Sequence, residues 1–157
     1  MFVASAINCT VAYMVHPIVQ REENREYGPT GNQEHVKSVL IVDDSPQIRG
    51  LLRAALSESG WVVCGEAGNG REGILQAQQL HPDLIILDLS MPEMNGFDAA
   101  RELKRIMPAV PLIMFTTHLT QGLERQAMQS GIHRVFSKID GSTHLINCVS
   151  GLLNQPE

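Results

Sequence analysis

Residues 83–96 read DLIILDLSMPEMNG: four apolar residues run from Leu84 to Leu87, and Asp88 follows where a loop begins. An apolar run of this length, bounded by turn residues, is what a strand covered on both faces looks like, as central strands of parallel sheets are. A carboxylate at the end of such a strand needs a reason.

The flanking sequence repeats the same alternation. SVLIVDD (38–44) is a β-rich run ending in two acids, and Ser45-Pro46 supplies an N-cap and a first-turn proline for a following helix. Ile48, Leu51, Leu52, Ala55 and Leu56 fall at i, i+3, i+4, i+7 and i+8, a spacing that predicts one apolar face, and Gly60 closes the helix. WVVCGEA (61–67) reads as a strand and GREGILQAQQL (70–80) as a helix. Beyond MPEMNG, the positions of Phe97, Ala100, Leu103 and Met107 predict a helix over about 97–107. VPLIMFTT (110–117) is a fourth strand, LTQGLERQAMQSG (119–131) a helix stopped by Gly131, and HRVFSK (133–138) a fifth strand. A last helix, Ser142–Leu153, should turn Leu145, Ile146, Val149, Leu152 and Leu153 inward. Five strands alternating with helices imply a doubly wound α/β fold, (βα)5, with a parallel sheet between two helical layers.

Residues 1–36 break the pattern. A weakly apolar start gives way to REENREYGPTGNQEHV (21–36), charged, punctuated by Gly and Pro and without either period, so it reads as a poorly ordered extension or linker ahead of a domain over 37–155. The first twenty residues carry Asn8, Thr10, His16 and Pro17 and no Lys or Arg before Arg21, which argues against a signal peptide or a membrane span. The 157-residue chain has a formal net charge of -5, which disfavours direct binding of nucleic acid through phosphate neutralisation. Three cysteines, Cys9, Cys64 and Cys148, have no metal-ligand spacing and no even pairing; they fit a reduced, cytoplasmic protein.

In a doubly wound sheet, ligands sit outside the carboxyl ends of the strands where the strand order reverses. The notable polar residues all fall on such ends: Asp43 and Asp44 after the first strand, Asp88 after the third, Thr116 on the fourth and Lys138 on the fifth. In a flavodoxin-like order 2-1-3-4-5 the three acids would share one cleft. Three carboxylates at close range call for a cation, and an all-oxygen set with room for water suits Mg²⁺. Asp88, the central acid, is then the candidate nucleophile for an acyl phosphate, with the Thr116 hydroxyl and the Lys138 ammonium as partners for phosphoryl oxygens.

VLIVDDSPQIRGLL (39–52), PDLIILDLSMPEMNG (82–96), LIMFTTH (112–118) and VFSK (135–138) together resemble the receiver domain of two-component response regulators, of the CheY-like superfamily, from residue 38 to about 154. The resemblance implies the 2-1-3-4-5 order and a phosphoacceptor Asp88 served by a histidine kinase or phosphotransfer protein. It implies Mg²⁺ held by Asp43, Asp44, Asp88 and the backbone carbonyl of Ser90, with Thr116 and Lys138 contacting the phosphoryl group. Ser90, Thr117 and His118 would tune its lifetime. Phosphorylation adds about -1.5 to -2 charge, enough to bias a two-state loop and alter the face of helix four, strand five and helix five that meets a downstream protein.

Two positions depart from the family pattern. Val135 stands where many members carry an aromatic that moves on activation; Phe136 is next to it, but strand alternation aims it at the other face. Ile139 follows Lys138 where proline is common. Only 19 residues follow Lys138, which fits a single-domain regulator; VFSKIDG (135–141) is similar to receivers joined to helix-turn-helix output domains, so a separated DNA-binding domain is the alternative. A third reading, an aspartyl-nucleophile phosphatase, is disfavoured because such hydrolases carry a second Asp two residues after the nucleophile, where this chain has Ser90.

Overall fold

The computed structural model describes residues 36–154. The predicted extension therefore lies outside the described residues up to position 35. Five strands and five helices alternate: β1 Ser38–Val42, α1 Pro46–Glu58, β2 Val62–Ala67, α2 Gly70–Leu80, β3 Leu84–Leu87, α3 Gly96–Ile106, β4 Leu112–Thr116, α4 Gln121–Gln129, β5 Arg134–Ser137 and α5 Thr143–Leu153. The strands form one parallel sheet in the order β2-β1-β3-β4-β5. Boundaries differ from the sequence reading by a residue or two, mainly at β4 and α4.

Side-chain alternation along the strands divides the core in two. Leu40, Val42, Ile85, Leu87, Leu112 and Met114 pack with Ala77 of α2, Phe97 and Leu103 of α3 and Ala127 of α4. Val39, Ile41, Leu84, Ile86, Ile113 and Phe115 pack with Leu52 and Leu56 of α1 and Leu145, Val149 and Leu153 of α5. All four residues of β3 are buried, which is why its sequence shows no polar alternation. One apolar residue departs from the reading: Leu51 is 50% exposed, because the buried stripe of α1 runs through Leu52 and Leu56 and Leu51 lies at its solvent edge.

Parallel strands deliver their carboxyl ends, and the amino ends of the following helices, to one rim. Side-chain caps hold those helix starts. Ser45 Oγ accepts from the Ile48 N–H at 3.4 Å, Asn95 Oδ1 from Phe97 at 2.9 Å and Asp98 at 3.0 Å, and Thr120 Oγ1 from Leu123 at 3.2 Å. Each such cap is worth about 1 kcal/mol, and together they fix the loops around the rim. Among the described residues no peptide bond is cis and no helix is long and apolar enough to cross a membrane.

Candidate functional site

The β1 and β3 ends lie side by side because these strands pair in register from Val39–Leu84 to Val42–Leu87. Asp43 and Asp88 therefore emerge together, and the Asp88 N–H donates to the Val42 carbonyl at 2.8 Å. Both carboxylates are buried, while Asp44 is exposed. Carboxylate oxygens of Asp43, Asp44 and Asp88 lie within 4.8 Å of one another.

Lys138, delivered by the end of β5, reaches across to both buried acids. Its Nζ is 2.7 Å from Asp43 Oδ2 and 3.2 Å from Asp88 Oδ2. The remaining carboxylate oxygens accept backbone hydrogen bonds: Asp43 Oδ1 from the Ser45 N–H at 2.9 Å and Asp88 Oδ1 from the Leu89 N–H at 2.8 Å. Burial pushes the Asp88 carboxyl above its ordinary pKa; the Lys138 charge opposes that rise and the Asp43 charge adds to it. With all three acids ionised, Lys138 offsets one of three negative charges, and one divalent cation would offset the other two. Its donors are all oxygen, one carboxylate faces solvent, and a hard divalent ion with several water ligands fits that set.

The remaining sequence-predicted residues fall around this rim. Thr116 is buried at the end of β4 and paired with Ser137, next to Lys138; its Oγ1 accepts from the His118 N–H at 3.3 Å. Thr117, His118 and Ser90 are exposed in the loops after β4 and β3. Val135 packs with the α2–α3–α4 side of the core and Phe136 with the α1–α5 side, as the alternation predicts. Beside Val135 lies a surface groove of about 270 Å³ that also takes in Leu119, Asp140 and His144.

Three residues that shape the site were not singled out from the sequence. Gly96 starts α3 directly against Asp88: a Cβ there would lie 2.2 Å from the Asp88 carbonyl oxygen and 2.9 Å from Leu89 Cα. The Asn-Gly pair at the end of MPEMNG was its signal, since glycine is the residue that permits such an approach. Glu93 has φ +65° and sits inside a tight turn in which the Met94 N–H donates to the Pro92 carbonyl at 2.7 Å. Nothing local in the sequence announces a left-handed glutamate. Arg49, on α1, places Nη1 2.7 Å from the Asp43 carbonyl oxygen and Nε 3.1 Å from Glu66 Oε2 on β2.

Known proteins share this fold and sequence pattern. The model of the response regulator receiver domain matches residues 39–150. A chemotaxis protein CheY from Thermotoga maritima is 39% identical over 95 residues, 60% of this chain and 79% of that protein. A protein-glutamate methylesterase/protein-glutamine glutaminase from Hahella chejuensis is 38% identical over 109 residues, 68% of this chain but 31% of that protein, so the chain spans under a third of that relative. Among solved structures, Vibrio cholerae chemotaxis protein CheY4 superposes with a TM-score of 0.70 at 28% identity, covering 75% of this chain and 99% of that one. With the strand order, the acid cluster and a family match over most of its length in agreement, the chain belongs to the response regulator receiver domain family.

Proposed function

We propose that this chain is a phosphorylation switch in which Asp88 accepts a phosphoryl group from a phosphohistidine of a histidine kinase or phosphotransfer protein. The observation that carries the reading is the Lys138 ammonium held between two buried carboxylates, with Asp44 exposed beside them. Asp43, Asp44, Asp88 and the Ser90 carbonyl would hold Mg²⁺, which would supply positive charge to offset the acids and the incoming phosphoryl group. An Asp88 carboxylate oxygen then attacks phosphorus. The new P–O bond forms as the P–N bond to the donor imidazole breaks, and the electron pair of that bond stays with the imidazole. Lys138 and the Thr116 hydroxyl would meet the added oxygens and so draw the loop after β4 toward the site.

In this reading the chain works in the cytoplasm as a single-domain regulator, and its output is a changed surface on α4, β5 and α5 offered to a partner protein rather than turnover of a substrate. Ser90, Thr117 and His118, exposed on the loops at the rim, set how water reaches the acyl phosphate. The second reading, a receiver belonging to a larger regulator, is favoured by the greater length of the methylesterase relative.

Intact-mass spectrometry after incubation with Mg²⁺ and a small-molecule phosphodonor tests the assignment. The wild type should gain the mass of one phosphoryl group and Asp88→Asn none. Equal labelling of both proteins would overturn it.

A further inference from the structure

Arg49 makes two contacts that the phosphoryl chemistry does not require, and both bear on the acid pair. Its guanidinium donates to the backbone carbonyl of Asp43 at 2.7 Å and to Glu66 Oε2 at 3.1 Å, with the Arg49 side chain only 19% exposed. Arg53, one turn further along α1, also pairs with Glu66 but is 55% exposed, and among the described residues it makes no hydrogen bond to the β1–α1 loop. Glu66 is itself held in place: its strand position faces Ile41 of β1, and its carbonyl accepts from Gln76 Nε2 at 2.7 Å.

The Asp43 carbonyl belongs to the peptide unit that joins Asp43 to Asp44. Fixing that carbonyl sets the rotation of the peptide plane, and with it the direction in which the exposed Asp44 leaves the strand end. The Asp43 N–H is tied on the other side, to the Ala67 carbonyl at 3.0 Å, and its carboxylate to the Ser45 N–H. Of the two main-chain groups of Asp43, only the carbonyl depends on a side chain, and a planar guanidinium with fixed donor directions is suited to holding it. Glu66 offsets the positive charge that this requires beside a cation site.

We propose that Arg49 is a positioning residue for the divalent metal: it orients the Asp43–Asp44 peptide so that both carboxylates face the same point, with Glu66 as the counter-charge. This rests on the acid cluster being the Mg²⁺ site. Electrostatics alone predicts the opposite sign, because removing a cation near three carboxylates should strengthen Mg²⁺ binding. Loss of an outer partner that orients ligands weakens metal affinity, typically by about 10-fold or more.

The test is calorimetric titration of MgCl₂ into the full-length wild type, Arg49→Ala, Arg49→Lys and Arg53→Ala, with melting temperatures measured in parallel. Arg49→Ala should bind Mg²⁺ about 10-fold more weakly, and Arg49→Lys, which keeps a single flexible donor, should fall between it and the wild type. Arg53→Ala, which loses a Glu66 pair of the same kind, should keep the wild-type affinity or bind slightly more tightly. Affinity in Arg49→Ala equal to or tighter than the wild type would overturn the proposal, as would equal weakening in Arg53→Ala. If Arg49→Ala does not fold, an Arg49→Lys affinity equal to the wild type overturns it. Absence of Mg²⁺ binding by the wild type would instead overturn the metal site itself.

Discussion

Lys138 Nζ and Asp43 Oδ2 stand 2.7 Å apart, both on side chains that are almost fully enclosed. The pair joins the end of the edge strand β5 to the end of the interior strand β1, with Asp88 between them as the second acceptor. Removing the cation leaves two buried carboxylates facing each other. Lys138→Met, which keeps the alkyl stem, should lose about 3 kcal/mol in urea denaturation at pH 7 without divalent ions. Adding Mg²⁺ should recover part of it. An unchanged unfolding midpoint would mean the ion pair adds nothing to the fold.

Asp88 gives the site a definite pH signature. Its folded pKa is raised, chiefly by burial, so the folded protein holds the proton more tightly than the unfolded chain does. Its favourable contribution is fully present below the ordinary carboxyl pKa and is lost as pH rises through the raised folded value. Asp88→Asn should therefore melt higher than the wild type at pH 7 without metal, and the gain should disappear by about pH 3, where both forms are neutral. A gain that persists unchanged into acid would place its cause elsewhere.

Asp44 separates metal binding from folding, because it is the exposed member of the acid cluster. Mg²⁺ at a hundred times its dissociation constant should stabilise the wild type by about 2.7 kcal/mol. In Asp44→Ala the metal-free stability should stay within about 0.5 kcal/mol of the wild type, while the Mg²⁺-dependent rise in melting temperature disappears.

Gly96 tests how closely α3 presses on Asp88. The methyl group of Gly96→Ala has only the Asp88 carbonyl oxygen and the Leu89 backbone to enter, and both are fixed. The variant should lose about 2–3 kcal/mol of stability and accept phosphoryl groups more slowly from a small phosphodonor. Unchanged melting would show that the loop yields at little cost.

Glu93 offers a gain. With φ at +65° it occupies a backbone region that costs a residue with a Cβ about 1–2 kcal/mol, only part of which the greater chain entropy of glycine would cancel. Glu93→Gly should raise stability by about 0.5 kcal/mol, read as a higher urea midpoint with an unchanged slope.

The strands and helices were legible because each carries its own period: β3 is apolar throughout since both of its faces are covered, and Ser45-Pro46 marks a helix start that the structure places one residue after the cap. The rim acids, Thr116 and Lys138 could be found because a parallel sheet turns position at a strand end into position in a cleft. Leu51 was misplaced because spacing gives the direction of a helical stripe and not its width. Arg49 was illegible for another reason. Its partners, the Asp43 carbonyl and Glu66, are a main-chain atom and a side chain on another strand, and neither leaves a mark in local composition.

The two walls of the cleft differ in mechanical support. Asp88 follows a strand with neighbours on both sides, while Lys138 follows an edge strand that pairs only with β4. Backbone amides on such unequal supports open at unequal rates. Under native conditions the Asp88 amide, bonded to Val42, should exchange for deuterium far more slowly than the Lys138 amide, bonded to Thr116. The cleft thus has a fixed jaw carrying Asp88 and a compliant jaw carrying Lys138, so a change of charge between them would be felt first by β5.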